Sequence, residues 1–122
     1  MATVEVGAQN FGPLIDSSNI LLVDFWAEWC GPCRMFGPIF ENASERHPDV
    51  VFGKVDTEIE QQLSGELGIS SIPTLMVFRE GILLYNSPGA LPETALEEII
   101  SKVKELDMEE IRKEVEKQES EN

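Results

Sequence analysis

Seven residues near the N-terminal end, Ile20-Leu21-Leu22-Val23-Asp24-Phe25-Trp26, restrict the fold more than any other part of the chain. Alternate residues of a strand point to opposite faces, so an almost unbroken apolar run predicts a strand covered on both sides of its sheet. A short loop follows, and Pro32 fits the first turn of a helix, where a missing N–H costs nothing. Phe36, Ile39, Phe40 and Ala43 then recur at helical spacing among Arg34, Glu41, Glu45 and Arg46. Pro38 lies inside this helix and removes one backbone hydrogen bond, and His47-Pro48 marks its end.

The pattern repeats more weakly downstream. Residues 50–55 read as a second strand, and a helical segment follows from about Glu58 to Leu67. Thr74 to Phe78 and Ile82 to Tyr85 flank Glu80-Gly81, which is a hairpin signal. Pro92 opens a last helix with Leu96, Ile99, Ile100 and Val103 on one face. Strand and helix alternate, then a hairpin and a helix close the order. The expected class is therefore α/β, with a central mixed sheet flanked by helices, parallel in its centre and antiparallel at the hairpin. Residues 1–104 form the expected domain. Residues 105–122 form an acidic extension with eight acids and three bases, in which Asp107 and Glu110 can start a helix and Met108, Ile111 and Val115 make a thin apolar stripe. That stripe is too narrow for a core of its own, so a chain ending at Lys104 is expected to keep its fold.

A chain of 122 residues suits one domain. Its net charge of −14 argues against nucleic acid or an anionic membrane as partner, since phosphate binding needs clustered Lys and Arg. The longest apolar stretch, Ile20 to Ala27, is far below the roughly 20 residues that span a bilayer. Met1-Ala2-Thr3-Val4-Glu5 lacks the basic start and apolar middle of a signal peptide, so a cytoplasmic location is expected.

The 2 cysteines, Cys30 and Cys33, enclose only Gly31-Pro32. So short a loop constrains the unfolded chain little, which makes stability a poor reason for the pair. A tetrahedral zinc site wants four ligands, and only the distant His47 accompanies them, so no metal is expected and His47 is read as a helix-end residue. Redox chemistry remains. The attacking species is a thiolate, and Cys30 just precedes a helix whose free N–H groups favour negative charge. Cys33, one turn further in, is expected to be more buried. Cys30 would attack a disulfide, a mixed disulfide would form, and Cys33 would resolve it. Asp24 is the anomaly of its apolar strand. Desolvation should raise its pKa towards neutrality, where a carboxyl can shuttle the proton of Cys33.

The run from Val23 to Cys33, Val-Asp-Phe-Trp-Ala-Glu-Trp-Cys-Gly-Pro-Cys, followed at a fitting distance by Ile72-Pro73-Thr74, resembles the signature of the thioredoxin family over about residues 3 to 104. The resemblance is to the disulfide-reducing members. Oxidase and isomerase relatives usually carry other residues between the cysteines, so Gly31 and Pro32 are assigned to tuning of the redox couple. The resemblance implies a thioredoxin fold and the proton-shuttle role for Asp24. It also implies that Lys54 lies near that Asp, its charge opposing the upward shift, and that Pro73 is a cis-proline beside the cysteines. Trp29, Gly31, Pro32, Ile72, Gly89 and Ala90 would form the flat surface that receives an extended client segment. Ser71 and Pro88 depart from the family pattern at the border of that surface, which bears on partner preference. The implied function is reduction of protein disulfides by a monomer without bound cofactor. Electrons would come from NADPH through a thioredoxin reductase. The alternative is a binding or scaffold module of the same fold in which redox activity is incidental.

Overall fold

The computed structural model describes residues 2–121. Its strands are β1 (Thr3–Glu5), β2 (Ile20–Trp26), β3 (Val51–Asp56), β4 (Thr74–Arg79) and β5 (Ile82–Pro88). Its helices are α1 (Phe11–Ser17), α2 (Gly31–Arg46), α3 (Gln61–Glu66), α4 (Glu93–Glu105) and α5 (Met108–Glu121). The five strands form one mixed sheet in the order β1-β3-β2-β4-β5. β3 runs parallel to both β1 and β2, and β4 is antiparallel to β2 and β5. The apolar run of β2 therefore occupies the centre, and its first six residues are all buried.

Alternation along β2 divides the core into two layers. Ile20 and Leu22 face Phe36, Phe40, Leu96 and Ile100 of α2 and α4. Leu21, Val23 and Phe25 face Phe11, Leu14 and Leu63 of α1 and α3. Two helices thus cover each face, as so apolar a strand requires. Asp24 shares the parity of Ile20, Leu22 and Trp26, which places it on the α2 side. At the far end of α2, His47 Nε2 lies 2.8 Å from Glu97 Oε1 and its Nδ1 lies 3.2 Å from Lys104 Nζ, tying α2 to α4. His47 is a structural link at a helix end.

Two local features differ from the sequence expectations. β1 and α1 are additional elements; β1 is three partly exposed residues on a sheet edge, and α1 contains Gly12 and Pro13, so neither carries a periodic pattern. α3 is shorter than expected because Asp56 Oδ1 accepts hydrogen bonds from the N–H groups of Glu58 and Ile59, at 2.9 and 3.4 Å, and holds a turn there. The acidic extension does form a helix, with Asp107 Oδ1 accepting from the N–H groups of Glu109 and Glu110 at 3.1 and 3.3 Å. Its start rests on the domain: Met108 is only 5% exposed, Arg112 pairs with Glu80, and Arg79 donates to the carbonyls of Val103 and Leu106. Among the described residues, no helix is long and apolar enough to cross a membrane.

Burial of one Met side chain contributes about 1.5–3 kcal/mol. A chain ending at Lys104 is therefore expected to fold but to melt roughly 5–10 °C lower than the full chain, on the usual scaling for a domain of this size. Its rate on a small generic disulfide should be unchanged, because α5 supplies no residue near the cysteines. Calorimetry and a turnover assay on the truncated chain check both halves, and an unchanged melting temperature would refute the packing argument.

Candidate active site

The loop from β2 delivers Cys30 to the N-cap of α2 with an extended backbone, φ −85° and ψ 115°. Pro32 follows in the first turn, where its ring suits the helix and no N–H is needed. Cys33 comes one turn later, with a Cα–Cα separation of 5.2 Å, and the two sulfurs form a disulfide. Cys30 Sγ accepts the N–H of Cys33 at 3.2 Å. In the reduced state this donor, together with the positive end of a 16-residue helix, favours a thiolate on Cys30.

Cys33 was expected to be the more buried cysteine, but the residues are 4% and 5% exposed. Cys30 is covered from the other side of the site, where its Sγ lies 3.6 Å from the carbonyl oxygen of Ile72. What separates the two is their surroundings. Cys30 borders the exposed residues Trp29, Gly31 and Pro32, with Trp29 65% exposed. Cys33 lines a small cavity of about 170 Å³ with Trp26, Ala27, Gly37 and Pro38.

The Ile72–Pro73 bond is cis. Pro73 is buried, and its carbonyl accepts the N–H of Gly89 at 2.8 Å, which fixes the Gly89–Ala90 loop beside it. Gly89 has a φ of 106°, a conformation that side-chain-bearing residues rarely adopt. Ile72, Trp29, Gly89 and Ala90 thus stand around the cysteines as a surface with no charged side chain of its own.

Asp24 is 0% exposed, and neither carboxylate oxygen has a hydrogen-bond partner among the described residues. Burial raises its pKa to about 7, against the opposing pull of Lys54. Lys54 is paired in register with Asp24 across β2 and β3, and its ammonium stands over the Trp26 ring, 4.9 Å from the centroid. The competition anticipated between desolvation and the lysine charge is therefore won by desolvation. Lys54 is half-buried against an aromatic face, not spread on a solvated strand face. A carboxyl that titrates near neutrality on the α2 side of the sheet can take up and release a proton.

The residues not anticipated are those of the turn after β3. Trp26 is paired with Asp56 in the sheet, and both the N–H and the hydroxyl of Thr57 donate to the Trp26 carbonyl, at 2.9 and 3.0 Å. This register carries Asp56 and Glu58 to the flank of Trp29. No local motif marks them; only the pairing of β2 with β3 brings them there. Among the described residues, no cluster of three or more His, Cys, Asp or Glu side chains is arranged to hold a metal ion.

Residues 2–102 match the family model described as Thioredoxin. The chain is 51% identical over 119 residues to a Streptomyces coelicolor protein bearing the name thioredoxin 2, an alignment covering 98% of this chain and 89% of that one. It is 38% identical over 103 residues to the thioredoxin of Bacillus subtilis, covering 84% and 98% of the two chains. Among solved structures, a mutant thioredoxin from Halobacterium salinarum superposes with a TM-score of 0.79 at 30% identity, covering 85% of this chain and 92% of that one.

Proposed function

The chain belongs to the thioredoxin family, a thiol–disulfide oxidoreductase that reduces protein disulfides, and from that premise we propose how its residues divide the work. The carrying observation is the Cys30–Cys33 pair at the N-terminus of α2, with Cys30 Sγ held by the N–H of Cys33. The Cys30 thiolate attacks one sulfur of a client disulfide; a mixed disulfide forms and the other client sulfur leaves as a thiolate. Cys33 loses its proton and attacks Cys30 Sγ, and the second client sulfur leaves. Two electrons have then passed to the client, whose sulfurs end as thiols, and the protein is left with its own disulfide. Asp24 takes the proton of Cys33, with Lys54 holding the site near neutrality. Gly31 and Pro32 set the ease of reduction through the geometry of the turn between the cysteines.

Trp29, Ile72, Gly89 and Ala90 receive the client, the Ile72 backbone pairing with an extended segment as an added strand. A thioredoxin reductase using NADPH restores the dithiol. The proposed setting is the cytoplasm, where thiols are kept reduced, with the protein acting as a monomer. A coupled assay tests this: NADPH consumption in the presence of a thioredoxin reductase and a disulfide-bonded protein should require this chain and both of its cysteines. NADPH consumption that persists in a Cys30→Ser, Cys33→Ser double variant, or none with the intact chain, would favour a scaffold role for the fold.

A further inference from the structure

Lys54 has two places to put its charge, and it occupies the less obvious one. Residues in register on neighbouring strands point to one face, so Glu5 of β1, Lys54 of β3 and Asp24 of β2 form a row on the α2 side of the sheet. On the outer side, Glu5 and Asp56 line a cavity of about 240 Å³ beside the lysine. Coulombic attraction alone would draw the ammonium towards these two carboxylates. Among the described residues it forms an ion pair with neither. It lies instead over the Trp26 ring, and a Cβ added at Gly37 of α2 would stand 3.8 Å from Nζ. The ammonium is seated between an indole and bare helix backbone, one turn beyond Cys33.

On propensity alone, glycine is a poor residue for position 37. It lies inside a 16-residue helix, where glycine loses more backbone freedom than alanine. Its φ is not positive, so no turn demands it. Among the described residues, and leaving aside the helix backbone and the chain neighbours, Lys54 Nζ is the one atom within 4 Å of that Cβ position. A side chain there would therefore meet the ammonium first. The other charged groups around the seat are committed or turned outward. Glu41, one turn further along α2, accepts the Thr3 hydroxyl at 3.0 Å. Arg34 donates to the Glu28 carbonyl at 3.1 Å, and the Glu28 side chain is exposed. On the far side of Asp24 stands the uncharged Leu75 of β4, and Cys33 is in its disulfide.

Resting on the disulfide-reductase reading above, we propose that Gly37 is a positioning residue: its missing side chain, with the Trp26 ring opposite, seats the Lys54 ammonium beside α2 and so sets the pH at which Asp24 exchanges a proton with Cys33. A larger side chain at position 37 sends the ammonium to the outer cavity, between Glu5 and Asp56. Asp24 then loses an opposite charge from its surroundings, and its carboxyl keeps its proton to higher pH.

The test is a carboxyl-carbon NMR titration of the full chain in its disulfide form, where neither cysteine titrates and Asp24 is read directly. Lys54→Met should raise the Asp24 midpoint by at least about one pH unit, the lower end for loss of a nearby opposite charge. Gly37→Val fills two of the three positions around the new Cβ and should raise the midpoint by at least about half as much. Trp26→Leu should act in the same direction. Gly37→Ala puts its Cβ at ordinary contact distance, so it should shift the midpoint least while gaining most in melting temperature. The two orders differ, which separates the seating of Lys54 from helix propensity. Adding Gly37→Val to Lys54→Met should produce no further shift. Gly65→Val, at an exposed glycine of α3 with open space around it, should leave the midpoint where it was. In disulfide exchange by the reduced chain, the inflection near pH 7 should move up with the midpoint. A midpoint unchanged in Gly37→Val or Trp26→Leu, or a Gly37→Val shift that persists without Lys54, would overturn the proposal and leave the reductase reading intact. Failure of the wild-type chain to reduce a disulfide-bonded protein would instead overturn the reductase reading, and the link from Gly37 to Cys33 with it.

Discussion

A Cys33→Ser variant is expected to accumulate client proteins as mixed disulfides on Cys30, while Cys30→Ser accumulates none. Turnover should fall to the uncatalysed background in both. The asymmetry follows from position on α2. Cys30 receives the N–H of Cys33 at 3.2 Å and borders the exposed face of Trp29, Gly31 and Pro32, whereas Cys33 faces the small cavity under Trp26. In Cys33→Ser the backbone donor and the helix terminus remain, so Cys30 still attacks. The resolving sulfur is gone, and the mixed disulfide persists. Iodoacetamide labelling of the reduced wild-type chain should modify Cys30 at least about tenfold faster than Cys33, because the thiolate is the reacting species and the backbone donor and helix terminus stabilise it on Cys30. Mass spectrometry of the labelled peptides and of trapped complexes reads both outcomes. Equal labelling, or clients trapped on Cys33, would reverse the roles.

The parts of this architecture legible in the sequence are those whose determinants are local. β2 announces itself because a central strand needs apolar residues on both faces. The Glu80-Gly81 turn does so because both residues sit at positive φ, 51° and 81°. The cysteine pair and its helix start lie within four residues. What was not legible depends on distant partners. β1 exists because β3 offers it a parallel edge, with Val4 opposite Gly53. Asp56 and Glu58 flank Trp29 only because Trp26 and Asp56 are paired in the sheet. The near-equal burial of the two cysteines arises from Ile72, far along the chain, closing over Cys30. Met108 looks like one residue of a weak stripe, and its burial depends on how the chain turns after α4, where Arg79 collects the carbonyls of Val103, Lys104 and Leu106.

Replacing Asp24 with Asn is expected to stabilise the protein at alkaline pH and to slow its chemistry. The carboxyl has a pKa of about 7 when folded and an ordinary value of 3.8 otherwise, the difference being due to burial. Between these values the folded state holds a proton that the unfolded state has released. The contribution of Asp24 to stability therefore falls as pH rises from about 4 to about 7 and is level above that. The fall is on the order of 4 kcal/mol, at 1.36 kcal/mol for each unit. Asn carries no charge and abolishes the dependence, although its amide meets the same lack of partners as the carboxylate oxygens, at about 1–3 kcal/mol. The protonated carboxyl bears the same cost, so the variant should equal the wild type near pH 4 and exceed it by on the order of 4 kcal/mol at pH 8. Denaturant titrations across that range should show the two stability curves diverging as pH rises. In the same protein the exchange rate should drop about 100-fold, at the lower edge of what a positioned acid–base group contributes, and lose its inflection near pH 7. Neither change follows from the other: stability reports the desolvated charge, while the rate reports the proton taken from Cys33. An unchanged pH–rate profile with the stability gain intact would leave Asp24 as a buried charge without a part in the reaction. Parallel stability curves would show instead that Lys54 neutralises it in the folded state.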